Sequence, residues 1–440
     1  MNILFISLGC DKNLVDSEVM LGILAKDGHQ MVDDETMADV IIINTCCFIH
    51  DAKEESIQNI LEMAEYKKSG QVKALIVTGC LAQRYRQEIL DEIPEVDEVL
   101  GTTAYDKILD AVDRALEGEQ GIILSDLNAL PVSGAKRLVT TGGHFAYLKI
   151  AEGCDKHCTY CIIPKIRGNF RSVPMERLIK EAKELAEQGV KELILVAQET
   201  TLYGKDLYGE KCLHRLVEEL CKIAGIRWIR ILYCYPEEIT DELIEVIKKE
   251  PKVCHYLDLP IQHASDSILK RMGRRTSKQE LTDIVKKLRK EIPDICLRTT
   301  LITGFPGETE DQHEELMQFV DEMEFDRLGV FTYSPEEDTP AAVMPDQIAE
   351  EVKEERQADL MELQQEIAFD NAENMIGREM LVMIEGKVAD ENAYVGRTYR
   401  DAPNVDGLIF INTEEELISG DFAKVKITGA LEYDLIGELL

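Results

Sequence analysis

The chain lacks any apolar run near the roughly 20 residues that a membrane-crossing helix needs, and no basic region precedes the short apolar stretch at Met1–Cys10. Both absences point to a cytosolic protein. Basic residues are scarce, 49 against 84 acidic ones, for a net charge of -35. Such a field repels a polyanion such as tRNA unless one face is locally basic, and it draws in a basic protein; it also serves solubility alone. Structural zinc sites favour paired C-x2-4-C knuckles, and a second knuckle is missing here too. At 440 residues the chain exceeds one ordinary core, and about three domains are expected.

Against these absences stand twelve cysteines, which in a cytosolic chain indicate metal or catalysis rather than disulfides. Three of them, Cys154, Cys158 and Cys161, fall within the stretch E-G-C-D-K-H-C-T-Y-C. Gaps of three and two residues let one loop turn three thiolates onto an iron–sulfur cube whose fourth iron stays open. S-adenosylmethionine (SAM) can chelate that iron, accept an electron and release a carbon radical. The competing reading is zinc, with His157 or a distant residue as fourth ligand. The spacing, with Tyr160 before the third cysteine, resembles the radical-SAM signature.

The N-terminal segment repeats one pattern three times. Apolar runs at Ile3–Ser7, Val40–Asn44 and Ala74–Thr78 each end close to a cysteine: Cys10, Cys46 and Cys80. Helical patterns follow at Leu14–Ala25, Ala52–Tyr66 and Gln83–Ile93. Strands alternating with helices build a parallel sheet, and its carboxyl edge would collect all three thiols as a second cluster site. Extended-chain register favours Cys46 over Cys47. Cys47, Cys212, Cys221, Cys234, Cys254 and Cys296 read as small core residues. Shorter elements at Val96–Leu100, Tyr105–Leu116 and Gly121–Leu124 complete the domain, residues 1–125, and a loop-like linker with Ser133 and Gly134 follows over 126–143.

From 144 to 346, six β/α units predict most of a parallel barrel, a partial (β/α)6 architecture with the cysteine loop after its first strand. Gln198, Glu199 and Thr200 follow the second strand, Gln262 and His263 the fourth, and Thr303–Glu308, with Gly304, the fifth. These could hold SAM: a glycine admits close backbone approach and a carboxylate pairs with its ammonium, while loop capping is the equal alternative. A charged helical pattern at 347–376 reads as a solvated connector. Residues 377–440 predict five short strands, a small antiparallel β-barrel. That last segment carries 13 acidic against 6 basic residues, which speaks against RNA and for a basic protein partner.

Taken together these motifs resemble the methylthiotransferase family, with its three-cysteine N-terminal domain, radical-SAM barrel and TRAM domain. The stretches L-G-C-D-K-N-L-V-D-S-E, G-C-L-A-Q-R-Y, P-I-Q-H-A-S, Y-S-P-E-E-D-T-P-A and G-R-T-Y-R-D-A-P-N-V-D-G resemble its RimO branch. The tRNA-modifying MiaB branch usually shows other residues there. The resemblance implies two [4Fe-4S] clusters, SAM, an electron donor such as flavodoxin or ferredoxin, and a sulfur donor. It also implies transfer of a methylthio group to an aspartate β-carbon in small-subunit ribosomal protein S-twelve; tRNA adenosine is the alternative substrate, and an iron–sulfur electron carrier or scaffold the non-enzymatic one. Tyr160, Gln198, Glu199, Gln262 and Gly304 would contact SAM. Arg167 and Arg171 could pair with the target carboxylate or serve structural ion pairs. Cys47 departs from the glycine that the family commonly has after N-T-C.

Overall fold

The computed structural model describes residues 1–131, 136–389 and 392–440; Ser133 and Gly134 of the expected linker lie outside them. The N-terminal sheet is wholly parallel, in the order Gln30–Val32, Asn2–Ser7, Val40–Thr45, Ala74–Gly79, Glu98–Leu100, Gly121–Ile123. The strands Val40–Thr45 and Ala74–Gly79 are buried throughout, as continuous β-branched runs covered on both faces should be. The helix expected over Gln83–Ile93 is two helices, Cys80–Tyr85 and Gln87–Glu92. Arg86 between them takes a φ of 37°, outside the helical region, and breaks the ladder.

Six parallel strands in sequence order, from Phe145–Lys149 to Arg327–Thr332, make the central sheet. Their first and last members are not paired with each other, so the barrel is open at one side. Leu14 and Val15 of the helix Asp11–Lys26 pack there with Phe145 and Tyr147, carrying the N-terminal domain onto the barrel wall.

The connector helix, Glu350–Glu373, is not solvated as expected. It buries Lys353, Arg356, Leu360, Gln364, Ile367, Ala368 and Ala372 along one face. The spacing is helical, but three polar members disguise the stripe. Each has a partner: Lys353 donates to the Tyr333 carbonyl at 2.9 Å, Arg356 meets Glu308 at 3.0 Å, and Gln364 donates to the Phe325 carbonyl at 2.8 Å.

The last domain is a closed five-stranded barrel, antiparallel except for one parallel pair, Ile409–Asn412 with Asp434–Leu439. The last of the five short strands is expected from the sequence over Leu431–Leu435, but that stretch spans a hairpin turn. Glu432 has a φ of 53° there, and the final strand begins at Asp434. This domain seats on the amino ends of the central strands. Glu192 accepts from Arg230 at 2.8 Å and from Arg397 at 2.7 Å, Arg327 pairs with Asp401 at 2.5 Å, and Arg400 pairs with Asp326. The stretch Gly396–Gly407, read above as a branch signature, is thus largely the seat of this domain.

Candidate active site

Cys10, Cys46 and Cys80 stand at the carboxyl ends of three neighbouring strands, because the register pairs Ser7 with Asn44 and Thr45 with Gly79. Cys46 and Cys80 are buried and Cys10 is exposed. Gly9, at φ +87°, lies so close to Cys46 that a Cβ there would sit 2.7 Å from the Cys46 Cβ, so the turn requires glycine. Asn13 holds the edge together. Its amide donates to the carbonyls of Leu8 at 3.1 Å and Thr45 at 2.8 Å, and its oxygen faces the Cys80 thiol at 3.7 Å.

Burial, with the thiols of Cys80 and Cys10 adding to it, pushes Cys46 up to about 12. Cys47 packs in the apolar core with Leu81, Val77 and Ile60, and Cys80 and Arg84 stand near it as well.

The second triad lies on a loop between a two-residue strand, Ala151–Glu152, and a short helix, Ile163–Arg167. A Cβ on Gly153, at φ +77°, would run into the carbonyls of Gly168 and Asn169, where the two arms of the loop cross. The Cys154 N–H donates to the Gly168 carbonyl at 3.1 Å and the Cys161 N–H to that of Cys158 at 3.0 Å. Cys154 and Cys158 are buried and Cys161 half-buried. The loop is braced from outside: the Thr159 N–H donates to the Met272 carbonyl at 2.9 Å and its hydroxyl to that of Arg271 at 2.8 Å.

The expected cofactor contacts divide. Tyr160 stacks edge-on against Phe305 with centroids 6.4 Å apart. Gln198 donates to Glu152 at 2.9 Å, and its Oε1 is buried without a hydrogen-bond partner among the described residues. Glu199 is fully buried; Thr201 and its backbone N–H hold one oxygen, and the other has only Lys156 at 3.8 Å. Burial lifts this carboxyl to about 7. Gln262, at φ 73°, ties its backbone to Thr300 and Ile302 of the next strand.

Other expectations are corrected. The space over Gly304 is filled by the Lys353 side chain. Glu308 is committed to Arg356 and to the Phe305 N–H at 3.2 Å, and His263 faces it at 3.6 Å. Thr200 caps the loop by donating to the Leu232 carbonyl at 2.7 Å. Arg167 is not free for a target carboxylate, and Arg171 keeps only its buried Nη2 without a hydrogen-bond partner among the described residues. Arg171 donates to the carbonyls of Ala129, Arg167 and Asn169, and Arg167, 2% exposed, is spent on internal partners.

Those partners join the two triads. Arg167 Nη1 meets Asp16 at 2.7 Å and Glu152 at 3.3 Å, while Nη2 reaches Asn13 and the Cys80 sulfur, the latter at 3.5 Å. Lys149 pairs with Asp16, and with Glu152 at 2.7 Å. Two cations and two anions thus balance in the buried seam between the domains. Sequence reasoning missed Asn13 and Asp16 in this role, although both lie in the quoted D-K-N-L-V-D motif. It also missed Tyr235, whose hydroxyl stands 3.9 Å from the Cys158 sulfur. A cavity of about 400 Å3 opens beside Cys10, walled by Tyr147, Tyr233, Tyr256 and Asp258 of the central barrel and by Asn404 of the last domain.

Among the described residues no three His, Cys, Asp or Glu side chains converge as ligands of one metal ion. Ligands of an iron–sulfur cube each hold a different iron, so they need not converge on one ion. The unpartnered acceptors on Gln198 and Glu199 fit a cofactor that brings an ammonium group.

Comparison with known proteins agrees with this layout. Residues 2–101 match the model described as "Uncharacterized protein family UPF0004", 148–320 the radical SAM superfamily, and 376–440 the TRAM domain. The fold is similar to that of the radical S-adenosylmethionine methyltransferase TsrM of Kitasatospora setae, at 13% identity and a TM-score of 0.56, over 78% of this chain and 77% of that one. Ribosomal protein uS12 methylthiotransferase RimO of Lachnoclostridium phytofermentans is 66% identical over 437 residues, covering 99% of each chain. The RimO protein of Clostridioides difficile is 51% identical over 434 residues, covering 99% of this chain and 98% of its own. The chain belongs to the RimO family of radical-SAM methylthiotransferases.

Proposed function

We propose that this chain attaches a methylthio group to the β-carbon of an aspartate in ribosomal protein uS12, using SAM and two [4Fe-4S] clusters. Cys154, Cys158 and Cys161 would ligate one cluster, and Cys10, Cys46 and Cys80 the other. The carrying observation is that the loop bearing one triad reaches into the other domain, where Arg167, six residues past Cys161, touches Cys80 in a buried seam.

When bound, the clusters and SAM supply the radical that an unactivated C–H bond demands and the sulfur that replaces its hydrogen. The chain's own residues prepare the site. Gln198 and Glu199 offer acceptors to the cofactor's ammonium, and Lys156, paired with Glu237 at 3.2 Å and Glu238 at 2.5 Å, holds the loop floor. Tyr160 and Phe305 give it an apolar wall. The cavity beside Cys10 takes the target side chain, and the acidic surface steers a basic protein toward it. A flavodoxin or ferredoxin supplies electrons and a separate donor supplies sulfur.

Anaerobically reconstituted protein should hold about eight irons, cleave SAM under reduction and leave a methylthio mark on uS12 readable by mass spectrometry. Iron for one cluster only, or a mark on tRNA and none on uS12, would overturn the reading.

A further inference from the structure

Arg167 sits on the radical-SAM loop, six residues past Cys161, yet its closest partners lie in the other domain. Asp16, Asn13 and Cys80 all belong to the N-terminal segment, and only Glu152 belongs to its own loop. The carboxylates Asp16 and Glu152 are shared between Lys149 and Arg167, and any second cation would balance their charge. What a guanidinium adds is a planar fork: one nitrogen stays on the carboxylates while the other points at a sulfur and an amide oxygen. Glu152 then passes the contact on, its second oxygen accepting from Gln198 at 2.9 Å. A continuous hydrogen-bonded line runs from Cys80 through Arg167 and Glu152 to Gln198.

We propose that Arg167 is a positioning residue for the auxiliary cluster, which donates to the Cys80 thiolate and raises the reduction potential of the cluster that Cys80 ligates. The inference rests on the two-cluster reading. Reduction adds a negative charge to a cluster, and a cation with an N–H directed at a ligating sulfur favours the more negative state. The seam is buried, with Arg167, Asp16 and Glu152 each under 5% exposed, so water screens this effect little. A residue of one cluster's loop thereby sets the electron affinity of the other cluster.

The test uses the full chain with Cys154, Cys158 and Cys161 all changed to Ala, so that only the auxiliary cluster is loaded. Its potential is measured by redox titration followed by electron paramagnetic resonance, with and without Arg167→Gln. The expected result is about four irons in both proteins and a lower potential in the Arg167→Gln chain. An unchanged potential with iron retained overturns the inference, because a merely structural role would change stability and iron retention but leave the potential of the loaded cluster alone. No iron in the triple-alanine parent overturns the two-cluster reading itself. Should Arg167→Gln fail to fold, with Asp16 and Glu152 left undercompensated, Arg167→Lys decides. Lysine keeps the charge but loses the second arm of the fork; a lower potential supports the proposal and a parental one overturns it.

Discussion

The two cysteine triads solve one chemical problem by opposite structural routes. Cys154, Cys158 and Cys161 are local: eight residues of chain carry them, and the loop that shapes them is closed by Gly153 against Gly168 and Asn169. Cys10, Cys46 and Cys80 are assembled by topology. Each ends a different strand, and only the parallel register of a whole sheet brings them to one edge. A local site can be damaged without the fold noticing, whereas an assembled site shares the fate of its domain.

The largest expected effect separates the sites by function. Cys158→Ala should abolish SAM cleavage and methylthio transfer and remove about half the iron. Cys80→Ala should remove the other half and abolish transfer while SAM cleavage persists. Iron analysis and a SAM-cleavage assay would read both, and loss of cleavage in Cys80→Ala would break the comparison.

Next come the glycines. Gly153 and Gly79 both hold positive φ, 77° and 92°, with neighbouring carbonyls where a Cβ would go. Alanine at either should cost about 1–3 kcal/mol. For Gly79→Ala the loss should appear in thermal unfolding of the N-terminal domain, since Asn44 and Thr45 of the next strand are displaced. For Gly153→Ala it should appear chiefly as lost iron at the local site. Equal unfolding shifts would blur the contrast.

A third test concerns pH. The Glu199 carboxyl is lifted by burial from 4.5 to about 7. Between those values an unfolded chain ionises this group while the folded chain holds its proton, so the cofactor-free protein should lose stability as pH rises through that window. The change is at most about 3 kcal/mol. Denaturant titrations of Glu199→Gln should show a flatter dependence over the same range, and an identical slope would remove Glu199 as its source. The smallest effect belongs to Cys47→Ala, expected to cost about 1 kcal/mol of core packing and no iron. Lost iron would instead make Cys47 part of the assembled site.

The contrast also explains what could be read without a structure. The local triad is visible as spacing, and the assembled one as a recurrence of strand-end cysteines, because hydrophobic runs of period-independent β-branched residues announce buried parallel strands. What joins them was not legible. Asn13 and Asp16 sit on a helix where polar residues ordinarily mean a wet face, and Arg167 after a cysteine loop reads equally as a hand for an anionic substrate or as half of a structural ion pair whose partner is unnamed. Only the packing of two domains turns those polar side chains toward each other. The connector helix hid its buried face for a related reason, since Lys353, Arg356 and Gln364 each find an internal partner for a polar end. Glycines were read as room for a ligand, yet Gly304 makes room for Lys353.

The seat of the last domain bears on how this enzyme could be trimmed. Glu192 is held between Arg230 from the central sheet and Arg397 from the small barrel, and Trp228 stacks on Phe422 at 4.9 Å. A chain ended at residue 376 would therefore not be a minimal catalyst. Its floor would be opened, with an aromatic face laid bare and two charges of the central sheet, Asp326 and Arg327, stripped of their counterions. The small barrel is less an appendage than the closing plate of the catalytic vessel.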